Sequence, residues 1–255
     1  MDSTMTPLAL ALTAFFCGRA DEPVVPDETL QLVVGLAPAW NARTAVIYRF
    51  ERRRGGKWRR LGAPWDANIG KNGLAAGDGL IPVCAPEGQH KVEGDKKAPA
   101  GVFTLGPIYG FGNGYRKAPR GRMRKLNDTM ACIEDPASRH YNRIVDTAKV
   151  ASDWEWSRPI KKPDAIMSRM IVVGHNGGSD PDAVTPAPDH GSCIFFHIAR
   201  GPDRPTVGCT SLPEKRLDAI IRWLTPKKHP VYILLTADQY RHLSHQPKSR
   251  LPRIR

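Results

Sequence analysis

Side chains able to do chemistry crowd into one window, Met170–Pro213, which holds His175, Asn176, His190, Ser192, Cys193, His197, Thr206, Gly208 and Cys209. A metal site is one reading. His190, Cys193 and His197 have ligand-like spacing, with Cys209 as a fourth donor. The segment Cys193–Ala199 (CIFFHIA) reads as a strand, however. A strand sets Cys193 and His197 ~13 Å apart, whereas ligands of one tetrahedral zinc lie ~3–4 Å from each other. No metal and no organic cofactor is therefore expected. A thiol nucleophile is the other reading. Gly208-Cys209-Thr210 forms a turn shortly before a helix that opens near Pro213. A glycine beside the sulfur permits a strained turn and leaves room for substrate. A nearby helix start and an imidazole both favour thiolate. The Pro/Gly-rich excursion Ile198–Gly208 is long enough to return Cys209 to His197, so that imidazole takes the thiol proton and sulfur attacks a carbonyl. Against this stands the plain alternative that His197 is a satisfied core histidine and Cys209 an inert buried thiol.

The elements that would hold these groups are mostly strands. Thr29–Leu36, Ala45–Phe50, Trp58–Leu61, Met170–Gly174, Cys193–Ala199 and Val231–Thr236 are rich in β-branched and aromatic residues. Gly101–Leu105 and Leu80–Cys84 are shorter apolar pieces in a Gly-rich region, and Gly55-Gly56 reads as a turn. One helix is expected over Pro213–Leu224, where Leu217, Ile220, Ile221 and Leu224 share a face. With 23 Gly and 23 Pro in 255 residues, the punctuation favours short strands over a helical bundle. The expected fold is mainly β, a single domain over residues 28–238 followed by a basic extension over 239–255. Trp154 and Trp156 alternate, as on one strand face, and are expected in the core.

The net charge of +13 is clustered. Arg49–Arg60 holds seven basic residues and one acid, Arg116–Lys125 six and none, and Gln239–Arg255 five and none. Such stripes suit polyanions or a merely solvated surface. The N-terminal Pro7–Cys17 is an apolar run of 11 residues, too short to span a bilayer, and small residues end at Ala20. It reads as a signal peptide over residues 1–20. That places the chain in the periplasm or cell envelope, with no spanning segment after cleavage. Four cysteines then remain, Cys84, Cys132, Cys193 and Cys209. Two bridges, or one bridge with a free thiol, are open, and Cys132 with Cys193 is one candidate pair.

Three stretches resemble the L,D-transpeptidase catalytic domain of the YkuD type. Gly191-Ser192-Cys193-Ile194-Phe195-Phe196-His197, continuing through Pro205-Thr206-Val207-Gly208-Cys209-Thr210, resembles the strand that carries the histidine and the turn that carries the nucleophile. Glu93–Phe103 is similar to the family's GD-x-x-TP-x-G-x-F element. Asp135-Pro136-Ala137-Ser138 with Tyr141-Asn142 resembles a divergent bacterial branch. The resemblance spans roughly residues 30–235. It implies a β-sandwich or bent sheet with a few peripheral helices, Cys209 as acylated nucleophile and His197 as general base and acid. It also implies that Gly208 and Thr210 shape the oxyanion turn and that Thr206 matches the family's Ser/Thr, with Ser192 and Thr206 expected at the substrate. His175-Asn176 directly follows the strand Met170–Gly174, and that place puts both in the expected cleft, with Asn176 positioning substrate. The partners implied are peptidoglycan stem peptides, with covalent inhibition by carbapenems and no nucleic acid. Departures occur at Val207, Ile198 and Ser211, where the family commonly has His, Gly and Arg, so a guanidinium suited to a substrate carboxylate is missing. A hydrolase or L,D-carboxypeptidase using the same pair, and a non-catalytic basic wall-binding module, are the rival readings.

Overall fold

A computed structural model describes residues 23–86, 89–112, 123–160, 165–178 and 184–254. The leader read at 1–20 and positions 116–122 of the second basic cluster lie outside the described residues. Among the described residues fourteen strands dominate. They are β1 (Gln31–Ala37), β2 (Thr44–Glu51), β3 (Arg59–Arg60), β4 (Trp65–Asn68), β5 (Leu74–Ala76), β6 (Ala98–Gly110) and β7 (Met123–Lys125). Then follow β8 (Met130–Ile133), β9 (Ile144–Asp146), β10 (Ser157–Pro159), β11 (Arg169–Val173), β12 (Phe195–Ile198), β13 (Thr210–Leu212) and β14 (Val231–Thr236). The main sheet runs β1-β14-β6-β11-β12-β13-β4-β2, and β2 pairs back onto β1, so these eight strands close a barrel-like ring. The expectation of a mainly β fold holds. Closure removes the exposed edges that an open bent sheet would leave.

Burial explains the ring. β1 (QLVVGLA) and β14 (VYILLT) are apolar along nearly their whole length and pair in parallel, Leu32 opposite Val231 through Ala37 opposite Thr236. Such continuous runs suit strands covered on both faces. Helix α1 (Glu214–Trp223) lays Leu217, Ile220 and Ile221 on the main core, joined by Leu224 just beyond its end. Each such side chain contributes roughly 1.5–3 kcal/mol by leaving water. Arg169, buried on β11, pairs with Glu214 and Asp218 in the first turns of this helix. Acids at that end also complement the helix dipole.

Two sequence expectations need revision. The Gly-rich region hides a 13-residue strand, β6, of which Gly101–Leu105 is only a part. Residues 239–254 are no loose extension. They continue a second helix, α2 (Ala237–Ser244), begun by a Thr236/Gln239 capping box, and Tyr240, Leu243 and Leu251 are buried in the main core.

A small sheet, β10-β8-β9, sits apart from the ring. Period-two alternation sorts β11 and β12 between two cores: Ile171, Val173 and Phe196 join the main one, while Met170, Val172 and Phe195 join Cys132 of the small sheet in a second. A Cys132–Cys193 disulfide ties the small sheet to the start of β12. Among the described residues, no helix is long and apolar enough to cross a membrane.

Candidate active site

The second core is where the sulfur lies. β12 and β13 are parallel neighbours with Phe196 opposite Thr210 and His197 opposite Ser211. Cys209, one residue before β13, thus sits beside Phe195, on the face that His197 also shares. Two residues of offset along neighbouring strands separate the Cα atoms of Cys209 and His197 by about 8 Å, from about 4.8 Å across and about 6.6 Å along. Both side chains line one cavity of ≈ 490 Å³. Cys209 is the free thiol among the described residues and is 9 % exposed. Its sulfur accepts the Phe195 N–H at 3.4 Å and donates to the Cys193 carbonyl at 3.6 Å. These contacts run to main chain, not to His197, so proton transfer requires the imidazole to lean along the strand. His197 Nδ1 lies 2.8 Å from the Ile198 carbonyl. A carbonyl only accepts, so Nδ1 carries the hydrogen and Nε2 is the basic nitrogen of the neutral ring.

The turn before the sulfur is held by Thr206, whose hydroxyl donates to the Cys209 carbonyl at 2.6 Å and accepts the Gly208 N–H at 3.1 Å. Thr206 lines the cavity, but its hydroxyl is occupied in bracing this turn. Gly208 has φ +145°, and a Cβ there would meet the Lys97 carbonyl oxygen at 3.1 Å. Only glycine adopts this conformation without strain. Thr210, expected with Gly208 to shape the turn, follows the sulfur at the start of β13. Its side chain turns to the barrel interior and bonds the Tyr232 hydroxyl at 3.0 Å, so it lends the cavity no functional group.

Burial pushes the Cys209 thiol above the ordinary thiol range; the Phe195 N–H and the Arg158 and Lys91 charges oppose this, and Glu134 adds to it. The resting group is the neutral thiol, which needs a base. The cavity wall carries five cations, Lys91, Lys96, Arg158, Arg200 and Arg204, against the carboxylates Glu93 and Glu134. Arg158 pairs with Glu134 at 2.6 Å. Trp156 is 50 % exposed and Val207 49 %, and both line the cavity. Trp156 precedes β10 rather than belonging to a strand, which is why the alternation argument misplaced it in the core.

The three family-like stretches converge here. Asp95 accepts from Lys91 Nζ, Val92 N and Lys97 N, shaping one wall. Tyr141 donates to Glu93 Oε2 at 2.7 Å, and burial followed by this carboxylate raises its phenol pKa. Ser192 lies beside that hydroxyl and lines the cavity. Asn142 links the third stretch to the first: its Oδ1 accepts Cys193 N–H at 2.8 Å, and its Nδ2 donates to the His175 and Asn176 carbonyls.

His175 and Asn176 do not line the cavity. The Asn176 amide is taken up by the main chain of Ala187 and Gly191. His175 Nδ1 accepts the Asp78 N–H at 3.1 Å, and its Nε2 faces the His190 carbonyl at 2.9 Å. Burial and then the Lys91 charge lower its pKa to about 4, so the ring is neutral. Both residues brace the loop that leads into β12. Reasoning from sequence did not find Lys91, Glu134, Arg158 and Trp156, which lie far from the His/Cys window. Arg200 and Arg204 were inside it and were legible as charge.

Cys193, spent in the bridge to Cys132, has no thiolate to offer a metal. Among the described residues, no group of three or more His, Cys, Asp or Glu side chains is placed to hold a metal ion. No family model, curated protein or solved structure matches the chain.

Proposed function

We propose that this chain is a cysteine acyltransferase of the L,D-transpeptidase type that acts on peptidoglycan stem peptides outside the cytoplasmic membrane. One observation carries the reading: a free thiol and a histidine with a basic Nε2 share one strand face and one cationic cavity. His197 Nε2 takes the Cys209 proton. The thiolate attacks the carbonyl of an L-residue joined to a terminal D-amino acid. The C–N bond breaks, the proton passes from His197 to the leaving amine, and a thioester remains on sulfur. An amine from another stem peptide then attacks the thioester, giving a cross-link and returning the proton to sulfur through His197. Water in place of that amine gives carboxypeptidase action.

The surroundings support this chemistry. The Phe195 N–H directed at sulfur favours thiolate as it forms. The five cations suit a substrate rich in carboxylates, and Arg158, Arg200 and Arg204 offer guanidinium groups that the Ser211 position lacks. The Cys132–Cys193 bridge fits an oxidising compartment.

The test incubates the protein with purified tetrapeptide muropeptides, with and without an acceptor amine, and resolves products by liquid chromatography and mass spectrometry. Dimers with acceptor, and free D-amino acid in both conditions, are expected, and Cys209→Ala should lose them. Unchanged turnover in Cys209→Ala ends the proposal.

A further inference from the structure

The first and last basic clusters of the chain, about 190 residues apart in sequence, meet in space. Trp58 Nε1 donates to the Arg250 carbonyl at 2.9 Å, across a separation of 192 residues. Together they wall a groove of ≈ 990 Å³ between the β2–β3 hairpin and the segment after α2. Arg52, Lys57, Arg60, Arg250 and Arg253 line it, and among the described residues no Asp or Glu side chain does. Asp27 reaches Arg250 at 2.7 Å, but both side chains are mostly exposed, so solvent weakens the pair. Lys57, Arg60 and Arg253 are exposed and have no ion-pair partner among the described residues. Five like charges held this close repel one another, and an anion relieves that repulsion.

We infer that this groove binds an anionic glycan, a polymer whose repeating carboxylates or phosphates pair with the arginine and lysine side chains. The groove's chemistry narrows the partner. No exposed large hydrophobic residue lines it, whereas a membrane-inserting surface needs an apolar face. Of its two aromatic lining residues, Phe50 is buried and Trp58 already stacks under the Arg52 guanidinium at 4.5 Å, leaving no series of platforms for nucleic-acid bases. Arginine forks match carboxylate and phosphate in two-point contacts. Neither Cys209 nor His197 takes part, so the site is independent of catalysis.

The experiment uses the full chain and its Cys209→Ala variant with three probes: polygalacturonate, 7:3 phosphatidylcholine/phosphatidylglycerol vesicles and a 20-nucleotide single-stranded DNA. A Lys57→Glu/Arg60→Glu/Arg253→Glu variant is compared with Lys125→Glu/Lys215→Glu/Lys227→Glu, which changes net charge equally elsewhere on the surface. Binding to polygalacturonate should weaken with salt, persist in Cys209→Ala, fall at least tenfold in the groove variant and fall no more than about threefold in the control. Equal losses in the two triple variants, absence of polygalacturonate binding, or groove-dependent binding that favours vesicles or DNA would each overturn the inference. Circular dichroism of both triple variants shows whether they remain folded; if the groove triple unfolds, the single variants Lys57→Glu and Arg253→Glu take its place.

Discussion

Asn142 offers the sharpest check on how the site is held. It is buried, has φ +58°, and joins three segments through one amide. Its Oδ1 is the acceptor for Cys193 N–H at 2.8 Å, and its Nδ2 reaches the carbonyls of His175 at 3.0 Å and Asn176 at 2.9 Å. Asn142→Ala leaves the buried Cys193 N–H unsatisfied, at a cost of about 1–3 kcal/mol. It also forces a Cβ-bearing residue without a local polar side chain into the left-handed region, about 1–2 kcal/mol. The His175 carbonyl keeps the Gly178 N–H at 3.0 Å, so the remaining loss falls mainly on the Asn176 carbonyl and adds about 1 kcal/mol. The sum is about 3–6 kcal/mol. Asn142→Gly loses the same bonds but not the backbone fit, and should be no worse than Ala. Asn142→Asp keeps the acceptor for Cys193 but sets a carboxylate against two carbonyls. Guanidinium unfolding followed by tryptophan fluorescence gives the three values. An Ala variant within about 1 kcal/mol of the parent refutes the reasoning.

Two further outcomes follow from the same framework. Opening the Cys132–Cys193 bridge, which closes a 61-residue separation, should lower stability by about 2–4 kcal/mol, read as a fall in unfolding midpoint for the Cys132→Ser/Cys193→Ser variant. His175 has a folded pKa of about 4 against an ordinary value of 6.5, because burial disfavours its charged form. Below pH 6.5 the unfolded chain takes a proton that the folded chain refuses. The contribution is therefore full above pH 6.5 and is lost as the pH falls towards 4, by about 3 kcal/mol, and His175→Gln should flatten that part of the stability profile.

Much of the site could be read from residue order because its parts are local. A strand carrying His197, a turn carrying Gly208-Cys209 and a helix with apolar residues at i, i+3, i+4 and i+7 each leave a short-range signature. The long β6 was obscured because Pro99, Pro107 and its glycines read as punctuation, although the strand tolerates them within the closed ring. Helix α2 had a signature, Thr236-x-x-Gln239, overlooked because the charge of the segment drew attention to its surface. Asn176 was expected in the cleft from its place after a strand, but nothing in sequence tells whether an amide faces substrate or spends its bonds on a loop. Arg158 reaches Cys209's cavity through packing of the small sheet on the ring, and Lys91 through the connection between β5 and β6; no spacing encodes either.

The central claim is that Cys209 becomes acylated with help from His197. Intact-protein and peptide mass spectrometry after exposure to a carbapenem tests it most directly. The account predicts one adduct, on the Cys209 peptide, absent in Cys209→Ala and formed at least tenfold more slowly in His197→Gln. An unmodified Cys209 after prolonged exposure, or an adduct that survives Cys209→Ala, would contradict it.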